Sequence, residues 1–274
     1  MTRSVRESPV GTLLREWRQR RRLSQLELAL AADSSARHLS CVETGKAQPS
    51  RAMVLKLCDV LDVPLRERNT VLLAGGFAPE YRESDLDDAP LTAARAALDT
   101  MLTAHEPYPA IAVDRHWNVV ATNRAMSLFA GEVDEHLMRR PNVYRLALHP
   151  GPPGAATYMI NHGQVRDFLL DRLLRQVRAT GDPVLRELYD EVSGYPVPAR
   201  TEPDPGAPTA FAVPLRIASP AGELRMFSTM VTFGAPSDVT LAELAIELFY
   251  PMDEFTADTL RALFTADAGA GTRP

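Results

Sequence analysis

The stretch LSQLELALAADSSARHLSCVETGKAQPS, residues 23–50, reads as two short helices separated by a break and followed by a stop. Ser24 is a good N-cap for a helix over Gln25–Ala32 that buries Leu28 and Ala29. Asp33-Ser34 breaks it, since Asp tolerates the left-handed backbone such a turn tends to need. Ser35 caps the next helix, whose Leu39 and Val42 face inward at i, i+3, and Gly45 ends it. Before this pair, Gly11–Arg21 carries an apolar stripe of Leu13, Leu14 and Trp17 with the arginines off it. After it, Ser50 caps a helix with Met53, Val54, Leu57 and Leu61 inward, and Pro64 opens a fifth that Gly75-Gly76 closes. Residues 1–78 therefore read as a small all-α domain of five helices.

Charge separates this part from the rest. Residues 1–80 hold thirteen Lys and Arg against nine Asp and Glu, a net +4 in a chain whose formal charge is −5, so the other 194 residues carry −9. Such asymmetry points the basic end, with RQRRR at 18–22, towards a polyanion. No apolar run nears the roughly 20 residues of a membrane span, and MTRSVRESPVG has no apolar segment behind its charges. The two cysteines, Cys41 and Cys58, form no CxxC or zinc-like spacing. A cytoplasmic protein with free thiols, without membrane contact, is expected.

The turn-rich, acidic FAPEYRESDLDDAP supplies a linker over 79–90. A helical pattern resumes over Leu91–Thr103. Strands are expected through Ala110–Val113 and Trp117–Thr122, bent at Asp114–His116, with a helix from Asn123. YMINHGQVRDFLLDRLLRQVRATG is a long amphipathic helix with Val165, Phe168, Leu169, Leu173 and Val177 on one stripe. Asp182-Pro183 starts another, stopped near Gly194. FAVPLRI, ELRMFSTMVTF and LAIELFY alternate as strands, the first placing Phe211, Val213, Leu215 and Ile217 on one face, with a hairpin turn at Ala221-Gly222. A last helix runs Thr256–Phe264, and 269–274 form a disordered tail. Residues 91–268 thus make an α+β domain, an antiparallel sheet of about five strands with helices on one side.

The 23–50 stretch resembles the helix-turn-helix of the phage-repressor (XRE) class, carried by Ser24-Gln25, Glu27-Leu28-Ala29, Ser40, Glu43-Thr44-Gly45-Lys46 and Pro49-Ser50. In that class the first helix of the pair crosses the phosphate backbone and the second enters the major groove of double-stranded DNA. The resemblance implies phosphate contacts from Gln25, Lys46 and Arg51, and a groove-facing set of Ser35, Ala36, Arg37, His38, Ser40 and Cys41. Arg37 leads, because Arg bonds guanine O6 and N7 together. The sequence departs from the class at the turn, where Asp33 and Ser34 replace a Gly and an aliphatic residue, and at Cys41, where a longer polar side chain is common.

The remainder resembles the PAS-like ligand-binding domain of MmyB-like transcription regulators. PAIAVDRHWNVVATN, RDFLLDRLLRQVRATGDPVLRELYDE and SDVTLAELAIELFYPMDEFTADTL carry it. The resemblance implies a DNA-binding homodimer that takes up a small apolar molecule, a fatty acid in one branch. No cofactor is expected beyond such a ligand. Residues placed to face a pocket are Trp117, Val119, Phe129, Tyr144, Phe168, Met226, Met230, Ile246 and Leu248. His116, Asn123 and Arg124 stand near a strand–helix corner, either as binders of a polar head or as turn and cap residues. The competing reading of the first set is a packed core, and that of the whole chain a signalling adaptor with incidental DNA affinity.

Catalysis has no support. The six histidines show no HExxH, there is no GxSxG, and GPPG at 151–154 lacks the Lys-Ser/Thr of a phosphate loop.

Overall fold

The structure, a computed structural model, describes residues 8–129, 135–150, 158–196 and 213–270; of 128, 129, 135, 136 and 267–270 it describes the backbone alone. The chain divides into two units, Met1–Asp88 with Gly234–Ala242, and Ala89–Phe233 with Glu243–Pro274.

The leading part of the first unit holds five described helices: α1 (Pro9–Arg20), α2 (Gln25–Ala31), α3 (Ala36–Glu43), α4 (Arg51–Val60) and α5 (Leu65–Ala74). The three serines cap as their positions demand, accepting the N–H of Glu27, His38 and Met53. The Glu27 carboxylate returns to the Ser24 N–H at 2.7 Å, which completes a capping box. Asp33 takes the left-handed conformation at φ +47°. Its carboxylate pairs with Lys56 of α4 at 2.8 Å, an exposed ion pair at the position where the class carries Gly. Leu14, Trp17, Leu28, Leu39, Leu57 and Leu72 meet in one core. Gly11 lets α1 touch α3 backbone to side: a Cβ there would lie 2.3 Å from the Val42 carbonyl oxygen.

Part of the expected linker is bound to this unit. Asn69 of α5 donates to the Tyr81 carbonyl at 2.7 Å and accepts the N–H groups of Glu80 and Tyr81. Residues 82–84 are held in turn by the 234–242 segment: Val239 N–H donates to the Arg82 carbonyl at 2.8 Å, and the Thr240 hydroxyl to that of Ser84 at 2.6 Å.

The second unit begins with a 3-10 turn, Ala89–Leu91, and α6 (Thr92–Ala104), then β1 (Ala110–Val113), β2 (Val119–Thr122) and a 3-10 segment, Arg124–Phe129. There follow α7 (Glu135–Met138), α8 (Val143–Leu148), α9 (His162–Thr180), α10 (Pro183–Ser193), β3 (Leu215–Ser219) and β4 (Gly222–Thr232). After α11 (Val239–Ala242), which belongs to the first unit, β5 (Ala245–Pro251) and α12 (Glu254–Ala270) complete the chain. The sheet runs β2-β1-β5-β4-β3, antiparallel throughout.

Several boundaries differ from the sequence reading. Trp117 has φ +67°, which delays β2 to Val119. The expected helix from Asn123 is a 3-10 segment, α12 extends through residues 269 and 270 of the expected tail, and Phe211 lies outside the described residues. The sheet is not covered on one side only. Ile111 and Val113 of β1 enter a core with Tyr144, Leu169, Leu173 and Leu185, while Ala110 and Ala112, pointing the other way, are equally buried.

The β3–β4 hairpin carries its own charge lock. Glu223 accepts from Arg216 Nε at 2.7 Å and from Arg225 Nε at 2.7 Å. These bonds, Arg216's first, lower its carboxyl to about 2. A carboxylate depressed on folding stabilises above its unfolded value and loses that contribution as pH falls through the folded one. Glu223→Gln should therefore lower thermal stability at pH 7, and the gap to wild type should close between pH 4.5 and about 2, as calorimetry across that range will measure.

Candidate nucleic-acid interface and ligand-domain interior

The outward surface of α3 is set by what its inward surface must bury. Leu39, Val42 and Glu43 are buried, which at 3.6 residues per turn leaves Arg37, Cys41 and Thr44 on the opposite side, with His38 beside them. Arg37, His38, Thr44 and Lys46 are exposed, and Ser40 and Cys41 half-buried. Thr44, which the sequence reading named as part of the motif but not among the contact residues, shares this face, its hydroxyl donating to the Ser40 carbonyl at 2.7 Å.

A buried ion pair holds α3 in place. Arg18 of α1 donates Nε and Nη2 to the two oxygens of Glu43, at 2.7 and 2.9 Å, and Nη1 to the Leu23 carbonyl at 2.8 Å. The Glu43 side chain is 1% exposed. Gln25 of α2 adds its amide at 2.8 Å. The fork of charge-assisted bonds raises the Arg18 pKa above its ordinary value.

Of the residues expected at DNA, four have other attachments. One amide hydrogen of Gln25 is committed to Glu43. Ala36 packs against the helical core rather than facing outward, because it lies on the Leu39–Glu43 side of the helix. The Ser35 hydroxyl accepts the His38 N–H. Arg51 forms an ion pair with Glu80. Within RQRRR, Arg21 is structural, donating to the Leu61 carbonyl at 2.7 Å and to that of Asp62 at 2.6 Å. Cys58 is a buried free thiol pushed up to about 12 by desolvation.

In the second unit the sequence-chosen lining does not converge. Register pairs Met226 with Pro251, which puts it on the face of Phe249 and Glu247; Ile246, one residue from Glu247, pairs with Ala112 on the opposite face. Leu248 goes with Ile246, opposite Met226. Met230, at the far end of β4, is 40% exposed, and Phe168 on α9 is 40% exposed, outside the Val165–Leu169–Leu173 stripe. The Phe129 side chain lies outside the described residues.

Trp117, Val119 and Tyr144 do share the core. The Trp117 and Tyr144 rings meet edge to face at 5.3 Å, and the indole N–H donates to Gln176 Oε1 at 2.8 Å. Arg172 lies over Trp117, 4.0 Å from the ring centre, and donates Nε to the Tyr144 hydroxyl at 3.1 Å. The polar corner residues are occupied. Asn123 accepts the Ala110 N–H and donates to the Leu102 and Tyr108 carbonyls, His116 is 3.0 Å from Asp182, and Arg124 lies over Phe264 at 4.0 Å. The polar groups that do enter this core, Arg172 and Gln176 on α9 and Glu247 on β5, carry no local motif. The one sequence signal was Trp117 itself, whose indole N–H needs an acceptor when buried.

Among the described residues no group of His, Cys, Asp or Glu could hold a metal ion, and no helix is long and apolar enough to cross a membrane.

Known proteins resemble both units. Residues 9–71 match a family model of a helix-turn-helix domain, and residues 94–263, more than half of the chain, match one of the MmyB-like transcription regulator ligand binding domain. No curated protein matches. A solved structure described as an RNA-binding light-oxygen-voltage receptor is 14% identical, with 96% of this chain aligned over 64% of that one at a TM-score of 0.26. That likeness is too slight to bear on fold or function.

Glu43→Ala should cost about 3–5 kcal/mol by leaving Arg18 buried and unpaired, while Arg18→Met with Glu43→Leu recovers most of the loss. Urea unfolding followed by Trp17 fluorescence, in a chain with Trp117 replaced by Phe, measures both.

Proposed function

The chain belongs to the MmyB-like transcription regulators, and from that premise we propose that it binds a double-stranded operator as a homodimer in the cytoplasm and answers to a small fatty-acid-like ligand. The supporting observation is the exposed Arg37–Cys41–Thr44 side of α3, held by the buried Arg18–Glu43–Gln25 network. An α-helix presented on so stiff a mount fits the major groove. Arg37 reads guanine, His38 and Cys41 face neighbouring base edges, and Lys46 with the α2 amides takes phosphates.

Two protomers place their α3 helices about 34–36 Å apart, one helical turn of DNA, on a pseudo-palindrome. The ligand acts by favouring one spacing of those helices; a molecule with equal affinity for both states shifts nothing. The interior around Trp117, Tyr144 and Arg172 favours uptake of a small molecule, because it joins apolar rings to a guanidinium with a buried unpartnered nitrogen.

Binding to the region upstream of the chain's own gene, at fixed moderate salt, tests the DNA reading. Arg37→Ala should lose about 1–3 kcal/mol on the cognate sequence. Equal retention of both proteins on any DNA supports the adaptor reading instead. Mass spectrometry of an organic extract of natively purified protein should detect an apolar small molecule, and a clean extract counts against the ligand.

A further inference from the structure

Among the described residues, four buried nitrogens of α9 have no hydrogen-bond partner: both ring nitrogens of His162, Nε of Arg166 and Nη2 of Arg172. His162 is 2% exposed and is the first residue of this 19-residue helix. Burial, with Arg166 beside it, pushes the imidazole below its usual range and so keeps it neutral. Asn161, just before it, gives the helix no side-chain cap. Its amide instead donates to the Pro214 carbonyl at 2.7 Å, and its carbonyl accepts the Arg216 N–H at 3.1 Å. The opening amides of α9 thus lack what Asn142 and Asp182 provide for α8 and α10.

Arg166 stands one turn beyond His162 on the same side of the helix. Its Nη2 is spent on the Ser193 carbonyl at 2.7 Å, which leaves Nε buried and unused. A folded chain hydrogen-bonds nearly all its buried polar groups. Here an imidazole, a guanidinium nitrogen and the positive end of a long helix are left open together, and every charge among them favours an anion. His162 also continues the stripe of Val165, Leu169 and Leu173, so an apolar core adjoins the open donors.

We propose that the start of α9, with His162 and Arg166, holds the oxyanion head of an amphiphile, a carboxylate or a phosphate monoester, whose apolar part enters the core beside Val165 and Leu169. This rests on the reading that the domain takes up a small amphiphile. The opening amides and the Arg166 Nε donate to the oxyanion, and the neutral imidazole donates through whichever ring nitrogen is protonated.

Calorimetric titration of the full chain with decanoate, decyl phosphate and decanol tests the assignment. One of the two anions should bind at least about tenfold tighter than decanol, and which one does so names the head group. Arg166→Met and His162→Phe should each reduce that anion's affinity to decanol's while leaving decanol unchanged, which also shows that the variant is folded. Arg178→Gln, exposed in the last turn of α9, should change nothing. If either variant fails to fold, the other variant and the wild-type comparison still decide. Equal binding of anion and alcohol by wild type, or a preference that survives both substitutions, overturns the oxyanion site and leaves the amphiphile reading standing. If none of the three probes binds, both fall.

Discussion

A carboxylate cannot be buried alone, and where α1, α2 and α3 meet that requirement falls on Glu43. Among the described residues Glu43 is satisfied by Arg18 from α1 and Gln25 from α2, so three helices must adopt one mutual geometry for its charge to be tolerated. Leu14, Leu28 and Leu39 pack the same helices into one core, and the fork of two parallel bonds from a planar guanidinium adds a directional constraint to that non-directional packing. The direction in which Arg37 and Cys41 leave α3 is therefore decided on the far side of the helix.

How much of this could be read from residue order depends on the range of the interaction. Caps are local, so Ser24, Ser35 and Ser50 fixed the starts of three helices and Asp33 announced its left-handed turn. The Arg18–Glu43 pair spans 25 residues and left no trace in the pattern. In the sheet the strands were visible but not their faces. A strand's side chains alternate, so the register sends Met226 and Ile246 to opposite faces, Met226 packing with Leu224 and Leu260, and register is set by pairing across distant segments. Asn123, chosen for its polarity at a corner, ties β1 to the turn through hydrogen bonds between its side-chain amide and the backbone of Ala110 and Tyr108. A helical stripe likewise suggested Phe168, which the true stripe of Val165, Leu169 and Leu173 leaves just outside.

The two units solve opposite problems with the same chemical groups. In the helical unit a guanidinium and a carboxylate cancel, and what remains for a partner is exposed on α3. On α9 the guanidiniums of Arg166 and Arg172 have no such partner among the described residues, and His162 is buried at a helix start without a side-chain cap. A hydrophobic pattern search passes over such positions because each sits between perfectly ordinary core residues. The difference is one of satisfaction, which depends on neighbours in space.

The segment 234–242 lies between two strands of the sheet yet packs with the first 88 residues, where Val239 and Thr240 bind the backbone of Arg82 and Ser84. No single cut of the gene therefore separates the units cleanly. A swap that borrowed only the leading portion would abandon these staples to the donor, and the sheet left behind would keep a strand connection shaped for an absent host.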